Sequence, residues 1–146
     1  MKRTFLFIPV LLIMVSGCVS SRQVNSGNPS SDIIALMNKA EADWNNGNLD
    51  GYMALYDDSS TFMLPGGPVG INGMRENYQR GFFNGSKPKQ NLKYEEMIIR
   101  PLGKDHALLT GKFILSGNNL KQLAGRYSVL FVRRPQGWRI LHDHSS

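Results

Sequence analysis

Apolar residues recur at helical spacing in the front half of this chain and at strand spacing in the back half. Ile33, Met37, Ala40 and Trp44 fall at i, i+4, i+7 and i+11, a single helical stripe. Ser30, Ser31 or Asp32 can cap that helix, which runs to about Asn46, where Gly47 takes the usual C-terminal position. The pattern predicts a second, shorter helix after Asn48 with Leu49, Tyr52 and Tyr56 on one face, ended by Asp57-Asp58-Ser59. A short strand over 61–64 precedes the Pro65-Gly66-Gly67 turn. A third helix follows, with Asn72 as its cap and Met74, Tyr78 and Phe82 buried; residues 85–89 break the pattern.

The remainder reads as sheet: strands over 92–100 and 106–116, then a closing hairpin of 126–134 and 138–145 around Pro135-Gln136-Gly137. Helices first and a four-stranded antiparallel meander after them predict an α+β fold. The strand 127–132 is apolar at both parities, so it needs a cover on each face. Three helices cover one face, and a second subunit is expected on the other. On the last strand, alternation puts Trp138, Ile140, His142 and His144 on one face, the two imidazoles about 7 Å apart. That face is expected to look inward, toward the helical stripe. The opposite parity would bury Asp143 and Arg139, at a cost of several kcal/mol unless they pair. His142 and His144 would then sit at the wet mouth of an apolar pocket, where desolvation favours the neutral imidazole.

Ahead of the first helix, Lys2 and Arg3 open an apolar run over 5–15 that is too short to span a bilayer. Basic start, short apolar run and small-residue site read as a secretory signal. Its end, Val15-Ser16-Gly17-Cys18, resembles the lipobox of bacterial lipoproteins, and Cys18 is the chain's only cysteine. The resemblance implies removal of residues 1–17, lipidation of Cys18 and stable membrane attachment by more than one acyl chain. Val19 follows the cysteine in place of the aspartate that marks inner-membrane retention in enteric bacteria. The expected address is therefore the outer membrane, facing the periplasm. Residues 18–31 form a polar tether with a reach of roughly 20 Å, and 32–146 the folded domain. With no second cysteine, disulfides are not expected.

Charge divides along the chain. Residues 18–74 hold two basic and six acidic side chains, and 75–146 hold thirteen basic and five acidic. The basic residues are scattered along strands and loops without interleaved aromatics, which argues against nucleic acid as a partner.

Ala42-Asp43-Trp44, then Gly47-Asn48-Leu49-Asp50, Tyr56 and Gly70 resemble the front of the NTF2-like, SnoaL-like superfamily. The ending Gly137-Trp138-Arg139-Ile140-Leu141-His142-Asp143-His144-Ser145-Ser146 is similar to its DUF4440 branch. This resemblance covers about 32–146 and implies a curved antiparallel sheet wrapped around N-terminal helices into a cone, usually as a homodimer. The superfamily includes isomerases, dehydratases, cyclases, oligomerisation modules and proteins with no known activity. Its ketosteroid isomerase-type and SnoaL-type enzymes place a carboxylate or histidine inside the cone as general base, with a tyrosine or acid as donor. The corresponding candidates here are His142, His144, Asp43 and Asp58 as bases and Tyr56, Tyr78 and Tyr127 as donors. No segment around any of them matches an isomerase's catalytic aspartate.

Each candidate has a plainer role. Either histidine can be a core residue bonded to backbone or to Asp43, and Asp57 and Asp58 can be a cap. His142-x-His144 offers two metal ligands, but the third would have to be His106 or a carboxylate. Neither a metal nor another cofactor is expected. Trp44, Tyr56, Phe62, Tyr78, Phe113 and Tyr127 are expected as core and cavity wall beside His142 and His144. Two functions follow: a lipid-anchored module that holds a small apolar or amphipathic molecule, or a partner, in its cone; and an isomerase- or hydrolase-like enzyme using the histidine cluster.

Overall fold

The computed structural model describes residues 28–146; the expected signal peptide, Cys18 and most of the tether lie outside them. Helix α1, Pro29–Asn45, starts ahead of the expected boundary because Asn28 is its N-cap. The Asn28 side chain accepts from the Ser30 N–H at 3.1 Å, and Pro29 sits in the first turn, where its missing N–H costs nothing. The expected stripe of Ile33, Met37, Ala40 and Trp44 is its buried face. Gly47 ends the helix region at φ 75°, and a Cβ there would lie 2.2 Å from the Ser86 carbonyl oxygen, so the chain needs glycine twice over.

Helix α2 is only Leu49–Met53, capped by Asn48, whose side chain accepts from the Gly51 N–H at 3.0 Å. Tyr56, expected on this helix, instead opens strand β1, Tyr56–Leu64. The cause is distant in sequence: Ile140 donates its N–H to the Leu55 carbonyl at 2.9 Å and pairs with Tyr56, which draws the chain into extended backbone. Strand β2, Gly67–Gly70, folds back on β1 and runs straight into helix α3, Ile71–Phe82. Gly70 is the cap position, and Asn72 lies inside the helix. A two-rung hairpin of β3, Phe83–Asn84, and β4, Lys87–Pro88, leads to the long strands β5, Asn91–Pro101; β6, His106–Ser116; β7, Leu123–Arg134; and β8, Gly137–Ser145.

The expected four-stranded meander is extended to six strands in the order β2-β1-β8-β7-β6-β5. All neighbours are antiparallel except β1 and β8, which run parallel. This is the expected α+β architecture, a curved, mostly antiparallel sheet with its N-terminal helices on the inner face. Helix α1 also closes the front of edge strand β5: Asn45 bonds both the N–H and the C=O of Leu92, at 2.7 and 2.9 Å. Glu41 accepts from the Tyr94 N–H at 2.7 Å. Side chains thus occupy edge groups that would otherwise template another strand.

The expected parity of β8 holds for only half of the strand. Ile140 faces Phe131 and His142 faces Leu130, so Leu141 is an extra residue without a partner, a β-bulge. Before it, Trp138 and Ile140 point into the core at 3 % and 2 % exposure. After it the faces exchange: Asp143 is buried, His142 is half-buried on the outer side, and His144 is exposed. The bulge is pinned from β1, where the buried Ser60 hydroxyl donates to the Ile140 carbonyl.

Candidate functional site

Between the helices and the concave face of the sheet lies a cavity of about 240 Å³. Aromatic side chains form much of its wall. Trp44 from α1 meets Tyr52 from α2 and Tyr78 from α3 edge-on, with centroids 5.1 and 5.6 Å apart. Phe62 from β1 packs on Tyr78 at 5.7 Å. Phe113, Leu115 and Val129 close the sheet side. All five tyrosines of the chain, Tyr52, Tyr56, Tyr78, Tyr94 and Tyr127, line this space.

Its polar end is Asp143, the one carboxylic acid among the described residues of the wall, and no Lys, Arg or His is among them. Tyr56 donates its hydroxyl to Asp143 Oδ2 at 2.8 Å, and Ser145 donates to Oδ1 at 3.1 Å. Because the Tyr56 proton is committed to the carboxylate, Tyr78, 3.4 Å from the Tyr56 oxygen, is left as donor in a long contact. Tyr52 and Tyr94 share a further hydroxyl–hydroxyl bond of 3.1 Å. Burial pushes the Asp143 carboxyl above the usual carboxylate range, against the lowering effect of its bonds from Tyr56 and Ser145. Burial first, and then the charge of Asp143, holds the Tyr56 phenol well above its ordinary value, and burial does the same for Tyr78 and Tyr94. At neutral pH these phenols are therefore hydrogen-bond donors rather than bases.

The Tyr127 ring lies over Gly111, where a Cβ would come within 2.4 Å of the phenol oxygen. Its buried hydroxyl has no hydrogen-bond partner among the described residues.

Trp44, Tyr56, Phe62, Tyr78, Phe113 and Tyr127 thus share one cavity wall, and the other candidates lie elsewhere. His142 and His144 do not line the cavity, because the Leu141 bulge turns them to the outer sheet face. There His142 Nδ1 bonds the Thr61 hydroxyl at 2.7 Å. The desolvating wall expected around the imidazoles surrounds Asp143 instead. Asp43 sits outside, paired with Lys39 Nζ at 2.5 Å and accepting from Asn48 at 3.0 Å. It borders a smaller hollow, of about 170 Å³, with Arg139. Asp58 is exposed on β1, so neither acid is placed to act as a base in the cone. The neighbouring Asp57 is held below the ordinary carboxylate range by a 2.6 Å bond from Arg134 and by Ser59. Among the described residues no three His, Cys, Asp or Glu side chains converge as metal ligands.

Sequence reasoning passed over Asp143, Ser145, Tyr52 and Tyr94 as site residues. Tyr52 was legible as a buried position on α2. Asp143 had one signal, a lone carboxylate inside a strand otherwise rich in core residues, and parity placed it on the wrong face.

Residues 33–146 match the model of the SnoaL-like domain family. Among solved structures, an NTF-2-like protein of unknown function from Shewanella oneidensis MR-1 is similar at TM-score 0.73 and 25 % identity, over 82 % of this chain and 99 % of that one. An NTF2-like protein of unknown function in nutrient uptake from Rhodospirillum rubrum ATCC 11170 matches at TM-score 0.65 and 21 % identity, over 79 % and 97 %. The association domain of C. elegans CaMKII matches at TM-score 0.67 and 17 % identity, over 80 % and 94 %. No curated protein matches the chain.

Proposed function

This chain belongs to the SnoaL-like domain family, and from that premise we propose that it is a binding protein whose cone encloses a small, largely apolar molecule carrying one polar group. The observation that carries this reading is the cavity itself, about 240 Å³ walled by aromatic and aliphatic side chains and polar at one end, Asp143. Such a wall supplies non-directional affinity, and a single hydrogen-bonded acid supplies orientation. The volume has room for roughly eight water-sized groups, the scale of a small monocyclic compound. The lipobox-like Val15-Ser16-Gly17-Cys18 supports anchoring of the cone by lipid at Cys18, in the outer membrane and facing the periplasm. The outer sheet face, with Leu108 beside Leu130, supports a homodimer. The kinship in fold to a domain named for association is in keeping with that.

Mass spectrometry of small molecules that copurify with the protein tests the reading. A ligand released from the wild type and lost when Val129 is replaced by tryptophan supports it. A cavity that captures nothing, from extract or from a library of small aromatics, refutes it.

A second reading, an acid–base enzyme, draws on the Tyr56–Asp143 bond. In that reading the proton acceptor is Asp143 and the donor Tyr78 or Tyr56, with His142 and His144 outside the reaction.

A further inference from the structure

We propose that the molecule the cone takes is a cation: a small protonated amine, its ammonium set against Asp143 and its apolar body among the rings of Trp44, Tyr52, Phe62 and Tyr78. The inference rests on the reading of the cone as a ligand chamber and deepens it by naming the ligand's charge.

Among the described residues the cavity wall contains one carboxyl group and no cationic side chain. Asp143 is buried at 5 % exposure and has no salt-bridge partner among the described residues. A carboxylate offers roughly four acceptor directions, and only two are used here, by Tyr56 and Ser145. Buried carboxylates are costly unless a counter-charge meets them, and an N–H donor of a ligand would supply both the charge and the missing bonds.

The phenol protons point the same way. Tyr56 donates to Asp143 and Tyr78 is left to donate to Tyr56, a chain that favours negative charge on the acid. His142 and His144 flank Asp143 in the strand but lie on the opposite face.

The walls suit a cation as well. Trp44, Tyr52 and Tyr78 pack edge to face, with Tyr52 and Tyr78 5.4 Å apart, and line the same space. Aromatic faces attract ammonium groups, more strongly when water is excluded. An anion of the same size would meet the Asp143 charge with no cation to offset it, and a neutral ligand could fill an open acceptor direction but would bring no counter-charge.

The test compares three probes of nearly one shape on the purified full chain by calorimetry at neutral pH: benzylamine, benzyl alcohol and benzoate. Benzylamine should bind at least about tenfold more tightly than benzyl alcohol, the effect of one charge-assisted bond, and benzoate should not bind. Benzyl alcohol binding as tightly as the amine overturns the inference and leaves the chamber reading standing. If no probe binds, the inference fails, and the chamber reading is judged by the copurification test. Asp143→Asn should bring the amine and the alcohol to equal affinity; a variant that keeps the preference overturns the role of Asp143. Should that variant not fold, carboxyl ¹³C resonances of the wild type decide: the Asp143 signal should move on adding benzylamine, and an unmoved signal counts against the proposal.

Discussion

Tyr56 and Asp143 meet in a 2.8 Å hydrogen bond although 87 positions separate them. The contact exists because β1 runs parallel to β8 in the sheet and because the Leu141 bulge rotates Asp143 inward. It joins the first strand to the last and places the cavity's one acid beside a donor whose own ionisation is suppressed by burial.

Asp143 makes stability depend on pH in a direction opposite to that of most carboxylates. Its folded-state pKa is raised, so the native chain holds this proton at pH values where the unfolded chain, near 3.9, has released it. Its contribution is most favourable below the unfolded value and is lost as pH rises toward the folded one. Asp143→Asn abolishes that loss, so the variant should gain stability relative to wild type as pH rises through the window and gain nothing at its acid end. Urea unfolding followed from about pH 4 to pH 7 checks this; an advantage that does not grow with pH contradicts it.

Removing the donor acts in the reverse sense. Tyr56→Phe keeps the ring but strips the carboxylate of its stronger bond, and should cost about 1.5–3 kcal/mol where Asp143 is ionised and less where it is protonated. In a double-mutant cycle with Asp143→Asn the two changes should couple, whereas additivity would mean that the bond contributes nothing.

How much of this was legible in the sequence depended on whether local periodicity carried the signal. The stripe of α1 and the hairpin around Pro135-Gln136 follow from spacing and turn chemistry, and both are present. The fate of Tyr56 was not legible, because helix α2 ends at Met53 on account of a bond to Ile140 rather than on any local stop. The site was lost on one residue. Alternation along β8 runs unbroken through Leu141 in the sequence, and a single bulge moves both histidines out and Asp143 in. Bulges carry no reliable sequence mark when the residue is an ordinary leucine. The cost of burying Asp143, which argues for the opposite parity, is offset in part by Tyr56 and Ser145, and the β1–β8 register that brings Tyr56 there is not visible in local pattern.

Gly111 makes room for the Tyr127 ring of the cavity wall. A methyl group there would sit 2.4 Å from the Tyr127 oxygen and 2.5 Å from Cζ, so the whole ring must move, not the hydroxyl alone. Gly111→Ala should destabilise by about 1–3 kcal/mol. Tyr127→Phe should not rescue it, since the ring remains, while Tyr127→Leu should recover part of the loss in thermal unfolding. Rescue by phenylalanine would show that only the hydroxyl is crowded.

At the other end of the chain, Cys18 should be lipidated and stand first in the mature sequence. Intact mass of the membrane-extracted protein should show loss of residues 1–17 plus acyl mass, and Cys18→Ala should appear in the soluble fraction. A free Cys18 thiol in the membrane-extracted species would refute the anchor.

The outer sheet face gives the last prediction a specific target. Cross-strand pairing sets Arg100, Leu108, Leu130, His142 and Thr61 in one row over five strands. The adjacent row runs Ile98, Thr110, Ser128, His144. Leu108 and Leu130 are half-buried in the single chain, and Ile98 is 68 % exposed. The strand 127–132 therefore turns Tyr127, Val129 and Phe131 to the core and Ser128 and Leu130 outward. A second copy related by a two-fold axis would set this row against itself, apolar at the middle and polar at its ends. Leu130→Glu puts a charge at that middle while leaving the inner face untouched, so it should yield a folded monomer, with unchanged circular dichroism and half the wild-type mass in light scattering. A wild-type chain that is already monomeric at micromolar concentration, or a Leu130→Glu chain that remains a dimer, would place the partner surface elsewhere.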